Sequence, residues 1–369
     1  MSSSTFAVRL TAPGRGAIAS VLLAGPSALT TVDALFRSIR GRAVSTVPTG
    51  RIIFGRWEMG NGEEVVICRR SEQDVEIHCH GGHAAITRIL ATLTERGCTE
   101  LDWQTWLKQQ IRDPIVADAR IAVAKALTQR TAAILLDQMR GTLGHALASV
   151  IEALRDNRCR EAQATLEVLR HRIPLGRRLT APWRVVLAGP PNAGKSSLAN
   201  AILGFQRSIV FEQPGTTRDV VSGQTAVDGW PVELLDTAGL RYAQNRIEVE
   251  GIRRARTEIA RADLVVFVID ATAPVPPETF DSPSIVVYNK CDLLTASRDS
   301  DKRYVSAVTQ EGLEELLTIV ASTLVPAPPP AAAPVPFTEQ QAAAITEAIA
   351  AIQRADVPQA LSVLQSYVP

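Results

Sequence analysis

A lysine and a hydroxyl at the end of a loop bounded by two glycines make a group of residues suited to holding phosphates. Residues 189–196, Gly189-Pro-Pro-Asn-Ala-Gly194-Lys195-Ser196, fit G-x-x-x-x-G-K-[ST]. The glycines let backbone N–H groups curl around a phosphate, and a following helix N-terminus adds positive potential. On this pattern Lys195 reaches the β- and γ-phosphates and Ser196 holds Mg²⁺, with Asn192, Ala193 and Ser197 lining the same turn.

Four further motifs follow in an order that completes a guanine-nucleotide site. Pro214-Gly-Thr216-Thr217-Arg-Asp219 suits a switch loop in which a threonine hydroxyl completes the Mg²⁺ shell. Asp236-Thr-Ala-Gly239 offers a carboxylate to Mg²⁺ through water and an N–H to the γ-phosphate. In Asn289-Lys290-Cys291-Asp292 a carboxylate can accept from both N1–H and the exocyclic amine of guanine, donors that adenine lacks. Ser306-Ala307-Val308 supplies a backbone N–H for the guanine O6. Together these imply binding of GTP and GDP and hydrolysis of GTP to GDP and phosphate.

The position after Gly239 is Leu240, where Ras-like enzymes carry a water-orienting glutamine. Another group must then orient the attacking water. The candidates are Asn192, whose carbonyl could help hold a monovalent cation beside the phosphates, and an acid of the second switch, Glu248 or Glu250.

The elements around these motifs change character along the chain. Residues 5–100 read as α+β, with strands at Val65–Cys68 and Val75–Cys79 and a helix at Ala84–Arg96 opening after Gly81-Gly82. From Pro114 to His171 the periodicity is helical, with Ile121, Ala124, Leu127, Ala132, Leu135, Leu136 and Met139 forming a buried stripe. From Trp183 short apolar runs at Arg184–Ala188, Val232–Leu235, Leu264–Ile269, Ile285–Tyr288 and Tyr304–Val305 alternate with helical stretches, which predicts a mostly parallel sheet. Val325–Pro336 is rich in proline and alanine and reads as a stiff, extended linker before a last helix at Glu339–Arg354 and a short one at Pro358–Gln365. The fold class is therefore multidomain α+β and α/β. Its parts are an α+β domain over 1–113, helices over 114–180, a P-loop GTPase domain over 181–325, and a linker with helices over 326–369.

Composition sets the remaining bounds. The 369 residues carry a net charge of +1 and are 46% hydrophobic, so no global field draws the chain to nucleic acid or to an anionic membrane. No run reaches the ~20 apolar residues of a membrane span. The five cysteines form no C-x-x-C pair, which fits reduced thiols in the cytoplasm rather than a zinc site or a disulfide framework. Trp103 and Trp106 are expected to pack at a domain junction.

The chain resembles the TrmE/MnmE family of bacterial tRNA-modification GTPases. The similar stretches are Pro191–Leu198, Gly215–Asp219, Asp236–Arg241, and Glu248 with Gly251-Ile252. Outside the nucleotide motifs, Ala12-Pro-Gly-Arg-Gly-Ala-Ile18 and Asp74-Val-Glu-Ile-His-Cys-His-Gly-Gly82 resemble the family's P-G-R-G-G-I-x and D-V-V-E-I-x-C-H-G-G elements. The resemblance implies an N-terminal domain that binds a formyl-tetrahydrofolate and makes a homodimer, and a GTPase domain inserted into a discontinuous helical domain. It also implies potassium-assisted hydrolysis, with Asn192 and Thr216 at the potassium positions, Ser196 and Thr217 on Mg²⁺, and Glu248 orienting the water. Lys195, Thr217 and Glu248 are then the catalytic set. The implied partners are tRNA and a flavoprotein, MnmG, for modification of the wobble uridine. Glu76 matches the family's acidic folate position and Arg15 is a candidate for the same pocket, whereas Leu22 stands where the family's R-I-S-G arginine, a folate contact, falls. Where the family closes on F-C-[IVL]-G-K this chain has Gln365-Ser-Tyr-Val-Pro369, which lacks the motif, and no cysteine follows Cys291. A GTPase of this type serving ribosome assembly, or a nucleotide-gated scaffold, is the alternative.

His78, Cys79, His80 and His83 invite a metal reading or a role in a folate pocket or glycine turn. Alternation on a strand puts His78 and His80 on one face and Cys79 on the other, and four-ligand spacing is absent. Arg15, between two glycines, is either a pocket residue or a solvent-exposed turn residue.

Overall fold

A computed structural model describes residues 4–14, 16–58, 62–205, 222–236, 256–295 and 297–368. The chain forms two compact units, Met1–Arg112 and Asp113–Pro369.

The first unit is built on a seven-stranded sheet. Its strands are β1 (Phe6–Arg9), β2 (Ile18–Ala24), β3 (Phe36–Ser38), β4 (Ile52–Trp57), β5 (Glu64–Arg69), β6 (Asp74–His80) and β7 (Thr99–Leu101), in the order β3-β4-β5-β6-β2-β1-β7. All neighbours are antiparallel except β1 and β7. One face packs Ala19, Val21, Leu23, Val75, Ile77 and Cys79 against helices α1 (Ala28–Leu35) and α2 (His83–Glu95). On the other face Leu22 lies opposite Glu76, and Ser20 opposite His78. Helix α3 (Trp103–Gln110) starts at Asp102, whose carboxylate accepts from the N–H groups of Gln104 and Thr105. Trp103 and Trp106, expected at a domain junction, pack on Val8, Leu22 and Ala24 of β1 and β2.

The second unit holds two cores. Helices α4 (Pro114–Val123), α5 (Gln129–Met139), α6 (Thr142–Arg155) and α7 (Cys159–Arg177) form one core with two helices from the end of the chain. The sequence stripe was expected to run on through Ala124 and Leu127, but the helix breaks there. Thr128 caps α5 through a reciprocal box with Thr131, and Ala124 is exposed.

Between these helical segments lies a five-stranded sheet: β8 (Trp183–Ala188), β9 (Ser222–Val227), β10 (Trp230–Asp236), β11 (Leu264–Asp270) and β12 (Ser284–Asn289). Its order is β12-β11-β8-β10-β9, parallel except for the β9–β10 hairpin. Helices α8 (Lys195–Phe205) and α9 (Leu313–Leu324) share a core with this sheet. The expected strand at Tyr304–Val305 is reduced to one parallel bridge between Tyr304 and Tyr288.

The helices α10 (Glu339–Gln353) and α11 (Val357–Gln365) complete the helical core. The proline-rich segment leading to them is not a solvated spacer. Val335 is fully buried, and Gln138 donates to the Ala333 carbonyl at 3.0 Å and accepts from the Val335 N–H at 3.1 Å. Arg172 donates to the Pro334 carbonyl at 2.9 Å. Gly176 lets this strap lie on α7, since a Cβ there would stand 1.7 Å from the Pro336 carbonyl oxygen. Backbone groups freed by proline are thus satisfied by side chains from the helices.

Candidate functional site

The site sits where the parallel strands of the second sheet end. β8 runs into the loop at Gly189, whose φ is +138° and where a Cβ would fall 2.2 Å from the Val268 carbonyl oxygen of β11. The loop closes at Gly194, with φ +86° and the Asn289 amide nitrogen 2.3 Å from where a Cβ would be. Asn192 stands exposed at the crown of the loop in the left-handed region, a conformation asparagine tolerates better than most residues. Ala193 beneath it is fully buried, and Ser197 is exposed on the first turn of α8.

Lys195 is 5% exposed, and its ammonium donates to the carbonyls of Gly189 at 3.0 Å and Pro190 at 2.7 Å. The Ser196 hydroxyl donates to the carboxylate of Asp236, the last residue of β10, which is buried. A hydroxyl and a carboxylate oxygen side by side are hard donors of the kind Mg²⁺ takes alongside phosphate oxygens, so this pair fits that ion. Among the described residues no three His, Cys, Asp or Glu side chains group as a protein-only metal site.

At the other end of the cleft, Asn289 is 1% exposed and acts as a staple. Its amide donates to the Ala193 carbonyl at 2.9 Å, and its carbonyl accepts from the Ala307 N–H at 3.2 Å. Ser306 is fully buried, and its hydroxyl accepts from the N–H groups of Val308 at 3.2 Å and Thr309 at 3.0 Å. Lys290 lies in the left-handed region with its ammonium 2.6 Å from Asp270 of β11. Burial raises the Asp270 pKa, but hydrogen bonds from Lys290 and Thr272 outweigh it and hold the carboxyl below its ordinary range. Cys291 is buried, which pushes its thiol up, and Asp292 beside it is exposed.

The structure therefore brings Gly189, Asn192, Ala193, Gly194, Lys195, Ser196, Asp236, Asn289, Lys290, Asp292, Ser306 and Ala307 to the C-terminal ends of the parallel strands of one sheet. Thr216, Thr217, Gly239, Leu240, Glu248, Glu250 and Arg15 lie outside the described residues. Glu76 belongs to the first unit, with Arg70 at 3.5 Å and His78 at 3.6 Å from its carboxylate. His78 also shares a hydrogen bond with Ser20 at 2.8 Å, His80 pairs with Glu63, and His83 with Thr87 at 3.2 Å, so each imidazole has its own partner. Asp270 was not among the residues expected at the site; the one local signal for it is an aspartate closing the apolar run 264–269.

Residues 184–299 match the family model described as 50S ribosome-binding GTPase. With the phosphate loop set between β8 and α8, this defines a P-loop GTPase, a GTP-hydrolysing enzyme. The G domain of the T. maritima FeoB iron transporter is similar over 38% of this chain and 98% of its own length, at 28% identity and a TM-score of 0.30. The tRNA modification GTPase MnmE of Chlamydia trachomatis serovar A is 32% identical over 354 residues, covering 85% of this chain and 80% of that relative. Its counterpart in Chlamydia pneumoniae is 33% identical over 353 residues, with 85% and 79% covered. The chain belongs to the tRNA modification GTPase MnmE family.

Proposed function

We propose that this GTPase acts in modification of the tRNA wobble uridine and that potassium assists its hydrolysis step. The observation that carries the hydrolytic part is the cluster of Lys195, Ser196 and Asp236 at the strand ends, joined through Asn289 to the loop that reads the base. In this reading Lys195 neutralises the β/γ-phosphates, Ser196 and Thr217 hold Mg²⁺, and Asp236 reaches that ion through water. Mg²⁺, when bound, supplies neutralisation of charge on the phosphate oxygens. Asn192 and Thr216 hold potassium, Glu248 orients the water in place of the glutamine that Leu240 replaces, and Asp292 selects guanine. The relatives' names support the tRNA reading. The same proposal takes the GTPase domain as inserted between two parts of one helical domain, and takes the chain as a homodimer that works with an MnmG-like flavoprotein. A formyl-tetrahydrofolate would meet Arg15 and Glu76 in the first unit. The family model's description favours a second reading, a ribosomal client, which co-sedimentation with 50S particles in the presence of a GTP analogue would reveal.

The test is steady-state GTP hydrolysis in potassium against sodium buffer. Stimulation by potassium is expected, together with a loss of about 100-fold or more in Lys195→Ala, the scale seen when a preorganised charge-stabilising donor is removed. Equal, near-zero rates in both salts would replace this reading with a nucleotide-gated scaffold.

A further inference from the structure

The two loops assigned to the base are tied together at several points, among them a bond from the Cys291 N–H to the Val305 carbonyl at 3.2 Å. An inner tie is the buried Asn289, which bonds both the phosphate loop and Ala307. An outer tie is Arg298. Its guanidinium grips the carboxylate of Glu311 through both terminal nitrogens, one of them at 3.3 Å, and donates to the Cys291 carbonyl at 3.2 Å. Glu311 in turn belongs to the second loop, where its carbonyl accepts from the Ser306 N–H at 3.0 Å. The guanidinium also lies 5.7 Å from the Tyr304 ring centroid. Arginine suits this place because its planar fork meets both carboxylate oxygens side by side while one nitrogen also reaches a carbonyl, a fixed geometry that a lysine ammonium does not match. The pairing holds the Glu311 carboxyl below its ordinary range.

Asp292 follows the gripped carbonyl of Cys291 directly and is three residues from Asn289. A carboxylate that must meet two donors on one edge of a base needs its backbone held on both sides, since small misplacements are costly. Lys290, left-handed with φ of +65°, turns the chain into a short 3-10 turn at Cys291–Leu293, and Gln310, also at +65°, turns the facing loop.

We propose that Arg298, clamped to Glu311, is a positioning residue for guanine selection, holding the Cys291–Asp292 turn against the Ser306–Glu311 loop. This rests on the reading of Asp292 as the guanine acceptor. Arg298 and Glu311 are 38% and 50% exposed, and exposed pairs add little to global stability. The effect should therefore appear in base recognition rather than in folding.

The experiment titrates fluorescent GDP and inosine diphosphate, which lacks the exocyclic amine, against the full chain and its variants. Arg298→Ala should weaken GDP by about 3- to 10-fold and IDP by less, narrowing the ratio between them. It should raise KM for GTP while leaving kcat and the thermal midpoint unchanged. Arg298→Lys should recover part of the loss, and Glu311→Gln should resemble Arg298→Ala. Unchanged GDP affinity and ratio in Arg298→Ala, alongside a clear loss in Asp292→Asn, would overturn the clamp alone. So would an equal loss for both nucleotides with a lowered thermal midpoint, the mark of a merely structural pair. If Asp292→Asn leaves guanine binding intact, the assignment of the base acceptor fails and the clamp falls with it.

Discussion

The two sheets of this chain are built from the same kinds of residue and put to opposite use. In β6, buried Val75, Ile77 and Cys79 alternate with half-buried Asp74, Glu76 and His78, because α1 and α2 cover one face while α3 covers the other only over β1 and β2. In β11 every residue from Leu264 to Ile269 is buried, because the sheet is sandwiched. A sheet with an open face can display side chains along its length. A sheet covered on both faces has only its strand ends left for chemistry. That is why Gly189, Asp236, Asp270 and Asn289, all at or just past the ends of parallel strands, make the neighbourhood of the phosphate loop.

The largest test of this contrast is Phe267→Ala. Phe267 is 1% exposed and meets the ring of Phe280 at a tilt of 49° and a centroid distance of 5.7 Å. Its loss should cost about 3–5 kcal/mol by chemical denaturation, as for other buried aromatics. A cost near zero would mean that the second face of β11 is not packed.

The next test concerns a strand end. The Asp270 carboxyl is held below its ordinary value of 3.8 in the folded chain. A depressed carboxyl stabilises the fold above its unfolded pKa, and the contribution fades as pH falls through the lower folded value. Asp270→Asn should lower the thermal midpoint at neutral pH and flatten its decline between about pH 5 and about pH 2. A parallel decline in both proteins would show that Lys290 does not hold this group.

The smallest effect is expected on the open face of the first sheet. Ile52 is 71% exposed, so Ile52→Ser should change stability by no more than about 0.5 kcal/mol. A larger loss would mean that this face is covered in solution and would erase the contrast.

Much of the second sheet was legible in the chain because its signals are local. Apolar runs such as Leu264–Ile269 mark doubly covered strands, and the Gly189–Ser196 spacing marks the turn between a strand and a helix. What escaped notice was tertiary. Nothing in the composition of Val325–Pro336 announces that Gln138 and Arg172, more than a hundred residues earlier, will take up its carbonyls and N–H groups. The break at Thr128 was hidden because threonine, not glutamate or glutamine, answers it at position 131. The motif containing Asp292 could be read directly, while the Arg298–Glu311 grip beside it joins two loops whose approach only the fold decides.

The strap and the helices it delivers also have a consequence for synthesis. Arg177 at the end of α7 meets Glu339 at the start of α10 across 162 residues of chain. On a ribosome adding ~5–20 residues per second, α7 emerges ~10–30 s before its partner. Throughout that interval its apolar side chains Leu166, Leu169 and Ile173 lack the Ala342–Ile349 surface that later covers them. The nascent helical segment therefore keeps that apolar surface uncovered until α10 has emerged.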